Sequence, residues 1–215
     1  MRDLDSILTM APVIPVLVID RVEDALPIAE ALVEGGLPVI EVTLRTAAGL
    51  EAIKIMSQVA GAVVGAGSVL NPRHYEEVID AGAQFAVSPG LTGDLARAAS
   101  AGSIPLLPGV ASASEIMRAI DHGFSRLKFF PAETLGGPKA LSALSAVFRQ
   151  VRFCPTGGIK LETAPQWLAL SAVLCVGGSW LVPSGVRVER AGISERARSA
   201  AALGQQAITP HDCAD

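Results

Sequence analysis

The sequence predicts an α/β protein, a (β/α)8 TIM barrel of one domain with a short N-terminal helix. Three observations carry this. Eight short β-rich runs alternate with alanine- and leucine-rich helical runs, and such alternation implies a parallel sheet. The chain has 215 residues, which suits eight strand–helix units at the short end of the barrel range. Half of it is apolar but only 4% is aromatic, as expected where aliphatic strands are covered on both faces.

The elements follow in order. DLDSILTM, before residue 11, reads as a short helix that could close the barrel floor. The strand candidates begin with PVIPVLVI (12–19), PVIEVTL (38–44) and AVVGAGSV (62–69). QFAVSP (84–89), IPLLPG (104–109) and RLKFFP (126–131) come next, and VRFCPT (151–156) and AVLCVGG (172–178) complete the eight. Helical candidates between them include VEDALPIAEALVEGG, NPRHYEEVIDAG and SASEIMRAIDHG, and the last is ERAGISERARSAAALGQQ. Most close on glycine, a common C-terminal stop. Residues 1–208 are expected to form the barrel, and 209–215 a frayed tail. The runner-up is an open doubly wound sheet. Its dinucleotide signature fails, because Leu70 stands at the third glycine position of GAGSVL.

Composition excludes several classes. The net charge of -4 and the lack of a basic run argue against a nucleic-acid partner. The apolar run Ala11–Ile19 spans nine residues and holds two prolines, whereas a membrane span needs about twenty. The acidic start lacks the basic region of a secretory signal. The expectation is a soluble cytoplasmic protein without a membrane partner. His74, His122 and His211 are scattered, so neither a metal site nor a cofactor is expected. Cys154, Cys175 and Cys213 show no disulfide spacing; the first two read as buried structural thiols.

Strand side chains alternate between faces. In the second strand Glu41, Thr43 and Arg45 share a face opposite Ile40, Val42 and Leu44. In the sixth, Arg126, Lys128 and Phe130 oppose Leu127 and Phe129. If the apolar sets pack under helices, Glu41 and Lys128 point into the barrel. Lysine is rarely fully buried. Such a pair is either a structural ion pair or an amine nucleophile with an acid/base partner. A neutral amine can attack a ketone and form a Schiff base, whose protonated imine stabilises a carbanion on the neighbouring carbon. A carboxylate can move the protons. Burial favours the neutral amine and a neighbouring carboxylate the charged one, with Arg45 as a competing cation. PTGGIK (155–160) and VGGSWL (176–181) each place a glycine pair after a strand and before helix-like sequence, at the seventh and eighth units. Barrel enzymes often bind phosphate there, because glycine lets backbone N–H groups approach an anion and a helix N-terminus favours one. Thr156 and Ser179 could add hydroxyl donors.

KFFPAE (128–133), EVTLRT (41–46), GAGSVLNP (65–72), QFAVSPGLT (84–92), VRFCPTGGI (151–159) and VLCVGGSWLVP (173–183) together resemble the 2-keto-3-deoxy-6-phosphogluconate aldolases. These are class I, Schiff-base enzymes, many also described as 4-hydroxy-2-oxoglutarate aldolases. The resemblance runs from about residue 6 to the final helix. It implies a metal-independent barrel, a homotrimer, and a phosphorylated keto-acid substrate. The implied reaction cleaves 2-dehydro-3-deoxy-6-phosphogluconate to pyruvate and glyceraldehyde 3-phosphate, closing the Entner–Doudoroff route. On matching positions Lys128 would be the Schiff-base lysine and Glu41 the general acid/base. Arg45 would bind the pyruvyl carboxylate, a role its guanidinium fork suits. Pro89 and Phe130 would line the pyruvyl pocket and Thr156 would contact substrate, while Gly157, Gly158 and Ser179 resemble the phosphate site. Ser68 stands where the family commonly has threonine; the hydroxyl survives and the methyl does not. The alternatives are an aldolase for the C4 epimer, 2-dehydro-3-deoxy-6-phosphogalactonate, or for unphosphorylated 4-hydroxy-2-oxoglutarate. A silent phosphate-sugar binding module would lack the amine or its partner. A phosphosugar isomerase would not need an inward lysine.

Overall fold

The computed structural model describes residues 3–183, 185 and 188–206; the expected frayed tail, with Cys213, lies outside them. Six parallel strands form a curled sheet. They are β1 (Val13–Leu17), β2 (Val39–Thr43), β3 (Val63–Gly67), β4 (Phe85–Val87), β5 (Leu106–Leu107) and, late in the chain, β9 (Val176–Gly178), in the order β5-β4-β3-β2-β1-β9. Three more, β6 (Gly109–Val110), β7 (Arg126–Phe129) and β8 (Arg152–Pro155), pair in the order β6-β7-β8. The run expected at 104–109 as one strand is thus two. Only Pro108 separates them, and proline has no N–H to give a ladder. Its carbonyl still accepts from the Lys128 N–H at 2.9 Å. Isolated bridges Phe153↔Val173 and Thr156↔Gly177 bring β8 against the β9 segment.

Helices follow the strands. The N-terminal α1 (Leu4–Leu8) precedes β1, and α2 (Ala25–Glu34) follows it after a 3-10 turn at Val22–Asp24. The next four are α3 (Gly49–Met56), α4 (Pro72–Asp80), α5 (Gly93–Ala101) and α6 (Ala113–Asp121), then α7 (Gly137–Val147), α8 (Ala164–Leu168), α9 (Arg190–Ala201) and α10 (Leu203–Gln206). Their starts are written in side chains. Asn71, Thr92 and Ser112 accept from the N–H groups of His74, Leu95 and Glu115 at the heads of α4, α5 and α6, each satisfying a donor the helix cannot. No helix among the described residues is long and apolar enough to cross a membrane.

The burial pattern separates two faces of the sheet. Leu17, Ile40, Val42, Leu127, Phe129 and Phe153 pack outward with helix residues in one large apolar cluster. Ile14, Val39, Val63, Phe85, Leu107 and Cys154 form a smaller cluster, joined by Ile7 and Leu8 of α1. By alternation this second set is the inner face. Helix α1 therefore closes the sheet at the N-terminal ends of its strands, and Asp5 pairs there with Arg126 at the start of β7, Nη2 to Oδ2 at 2.6 Å. The ring of Phe85 crosses the inner face because Gly65 has no side chain; a Cβ there would lie 2.3 Å from Cζ.

Candidate active site

Glu41 and Lys128 lie on the inner face, between outward-packed neighbours on both strands. The Lys128 Nζ donates to Glu41 Oε1 at 3.1 Å and to Oε2 at 3.5 Å. Each residue is 4% exposed. Nζ also sits 5.4 Å from the centroid of the Phe130 ring, within cation–π reach. In register, Lys128 stands beside Gly109 and Cys154, and Glu41 beside Val16 and Gly65. Two charges removed from water cost several kcal/mol each unless paired, and removing one partner typically costs about 3–5 kcal/mol. The pair therefore holds itself in place, with Thr43 above it anchored by its hydroxyl to the Leu17 carbonyl at 2.7 Å.

The room for this pair comes from a glycine that sequence reasoning passed over. A Cβ on Gly67 would lie 2.1 Å from Glu41 Oε1, so only glycine leaves the carboxylate its position. Ser68, the next residue, has φ 61 and is the one non-glycine in the left-handed region among the described residues. That conformation costs about 1–2 kcal/mol, and such strain concentrates at functional sites. Below the pair, hydrogen bonding with Cys154, together with burial and the charge of Glu41, pushes the Cys175 thiol well above its ordinary range. Both cysteines are free and buried, and they form part of the floor.

The remaining residues singled out in the sequence rim the C-terminal ends of the strands. Arg45 lies two residues past β2, Ser68 one past β3 and Pro89 two past β4. Phe130 follows β7, Thr156 to Gly158 follow β8, and Ser179 follows β9. Direct packing joins some of them. Gly157 abuts Phe130, its absent Cβ 3.3 Å from Cδ2, and Gly177 leaves space for the Thr156 hydroxyl, its absent Cβ 2.3 Å from Oγ1. The Pro89 carbonyl reaches the same end of β6, 2.2 Å from where a Gly109 Cβ would be. Arg45 is exposed at that rim. Its strand ends at Thr43, and it makes no ion pair among the described residues.

The two glycine pairs differ from expectation. Gly177 and Gly178 lie inside β9, within the strand candidate 172–178, rather than following a strand, and Thr156 and the Trp180 ring fill the space their side chains would take. Neither pair heads a helix. After Gly158 a turn at Lys160–Thr163, closed by the Thr163 hydroxyl, intervenes before α8, and α9 begins only at Arg190. Any anion here would meet loop amides rather than a helix dipole. The N–H groups of Gly158 and Ile159 donate to no acceptor among the described residues, and Gly157 and Gly158 have φ +107 and +81, conformations that glycine adopts without strain.

No group of three or more His, Cys, Asp or Glu among the described residues could hold a metal ion. A separate cavity of about 750 Å³ lies beside Asp20, Arg21 and Pro183 and contains none of the residues above.

Residues 4–193 match the family model "KDPG and KHG aldolase". The chain is 56% identical over 208 residues to the 2-dehydro-3-deoxy-phosphogluconate aldolase of Zymomonas mobilis, covering 97% of this chain and 100% of that one. It superposes with a TM-score of 0.93 on a crystal structure of the 2-keto-3-deoxy-6-phosphogluconate aldolase of Zymomonas mobilis with 3-phosphoglycerate, at 56% identity over 97% of this chain and 100% of the other. A KDPG aldolase from Legionella pneumophila, with pyruvate captured as a covalent carbinolamine intermediate, matches with a TM-score of 0.90 and 44% identity, covering 93% and 98% of the two chains.

Proposed function

The chain belongs to the KDPG and KHG aldolase family, and on that premise we propose how its residues act. It is a lyase that cleaves 2-dehydro-3-deoxy-6-phosphogluconate (KDPG) to pyruvate and glyceraldehyde 3-phosphate, the Entner–Doudoroff reaction. The observation that carries the residue roles is the buried contact of Lys128 with Glu41 at 3.1 Å. Nζ gives a proton to the carboxylate and attacks the C2 ketone of the substrate. The resulting carbinolamine, the kind of adduct captured in the Legionella relative, loses its hydroxyl as water with a proton from Glu41. The iminium then draws the electron pair of the C3–C4 bond as the C4 hydroxyl yields its proton to Glu41 and becomes the aldehyde. Protonation of the enamine at C3 and addition of water release pyruvate and the free amine.

The rim residues supply binding. Arg45, whose guanidinium has no partner among the described residues, takes the pyruvyl carboxylate as a bidentate partner. The Ser68 hydroxyl lies beside the imine or that carboxylate. Pro89 and Phe130 form the apolar wall around the pyruvyl part, and Thr156 meets the substrate hydroxyls. The amides of Gly157 and Gly158, with the Ser179 hydroxyl, take the phosphate. No metal or organic cofactor enters these steps. We read the two sheets as one (β/α)8 barrel, supported by the single-residue gap at Pro108 and the bridges to Val173 and Gly177. The family resemblance supports a homotrimer and a cytoplasmic location.

Three substrates test the reading: KDPG, its C4 epimer and unphosphorylated 4-hydroxy-2-oxoglutarate. The expected kcat/KM is highest for KDPG, by about tenfold or more over each of the others, the scale at which one well-placed contact discriminates. Equal or faster cleavage of the galactonate epimer would reassign the enzyme to that substrate.

A further inference from the structure

We propose that Glu133 is a positioning residue for the phosphate end of the site, acting through Trp167 and the Gly157–Gly158 loop. It lies five residues beyond Lys128 in the same segment. Two backbone bonds carry the β7–β8 pairing past the strand ends: the Ala132 N–H donates to the Thr156 carbonyl at 2.8 Å and the Glu133 N–H to the Gly157 carbonyl at 3.0 Å. The Glu133 side chain then runs along the loop. A Cβ on Gly158 would lie 2.8 Å from Glu133 Cβ and 2.9 Å from Cγ, so the bare glycine rests on that stem. The carboxylate continues past the loop, where Oε1 accepts from the indole N–H of Trp167 at 2.9 Å.

Trp167 fixes the far end of this strut. It is fully buried on α8, and its ring lies 6.3 Å from that of Phe129, tilted by 51°. Phe129 is the immediate neighbour of Lys128. The lysine strand and the anion loop are therefore braced against one indole from behind the sheet. Two consecutive glycines have the widest backbone freedom of any dipeptide, so their shape must be imposed by neighbours. The carboxylate contacts the indole N–H and not the loop, which leaves the Gly158 and Ile159 N–H groups free for a ligand. A charge-assisted bond makes the strut stronger than a neutral one.

The inference rests on the reading of Gly157–Gly158 as the phosphate site, and a KM-against-kcat split on two substrates separates the two. In the wild type, KDPG should have a much lower KM than 4-hydroxy-2-oxoglutarate. Glu133→Ala and Trp167→Phe should each raise KM for KDPG about tenfold, the scale set by a small misplacement of a binding group. In both variants kcat for KDPG and kcat/KM for the unphosphorylated acid should stay within about twofold of wild type. Glu133→Gln keeps an acceptor for the indole and should restore most of the affinity. If the wild type does not favour the phosphorylated acid, the loop reading fails first. If it does, and neither variant changes KM for KDPG, or both substrates lose equally, Glu133 is not a positioning residue.

Discussion

Lys128→Ala is expected to lower KDPG cleavage by about 10⁴-fold or more, the scale seen when a covalent nucleophile is removed. Among the described residues Lys128 is the one buried lysine, and no other is placed to replace it. Loss of a buried partner would also leave the Glu41 charge uncompensated and cost about 3–5 kcal/mol of stability, so inactivity of the alanine variant alone is ambiguous. Lys128→Arg resolves this. A guanidinium keeps a cation beside Glu41 but is always protonated and cannot attack a ketone. A folded Lys128→Arg variant should therefore be as inactive as Lys128→Ala. Steady-state cleavage beside a thermal melt checks both. A folded arginine variant with activity within tenfold of wild type would make the pair a structural salt bridge.

Glu41→Gln is expected to lower kcat by about 10²–10⁴-fold, the usual worth of a positioned acid/base group. The amide fills the same space below Gly67 and can still accept from Nζ, so binding should change little. It cannot take a proton through the cycle. Carbinolamine formation should become slow without being abolished, so some pyruvate adduct should still accumulate on long incubation. Single-turnover kinetics separate the steps. Turnover at the wild-type rate would remove Glu41 from the chemistry.

Much of this arrangement was legible in the sequence because the signals are local. Gly and Pro punctuation marked the eight β-rich runs, and period-2 alternation turned Glu41 and Lys128 to one interior, where they meet. The same rule carries only to Thr43, where β2 ends, so it does not fix the side chain of Arg45. Gly177 and Gly178 close the strand candidate 172–178 and also read as the start of a phosphate loop. They are strand residues, kept small by Thr156 on the neighbouring segment and by Trp180 just beyond β9 itself. Pro108 divides a run that looks continuous, because a missing ladder donor leaves no periodic trace. The space that Gly67 gives to Glu41, and the contact of Glu133 with Trp167 across 34 positions, depend on tertiary packing alone. A short GAG at a strand end was the available sign of the first; nothing local announces the second.

The central claim is that Lys128 forms a covalent imine with the keto acid. Incubating the protein with pyruvate, reducing with borohydride and mapping the product by mass spectrometry tests it in one step. The account predicts a stable pyruvate-derived adduct on Lys128 and on no other lysine, lost in Lys128→Arg. An unmodified Lys128, or an adduct confined to another lysine, would contradict it.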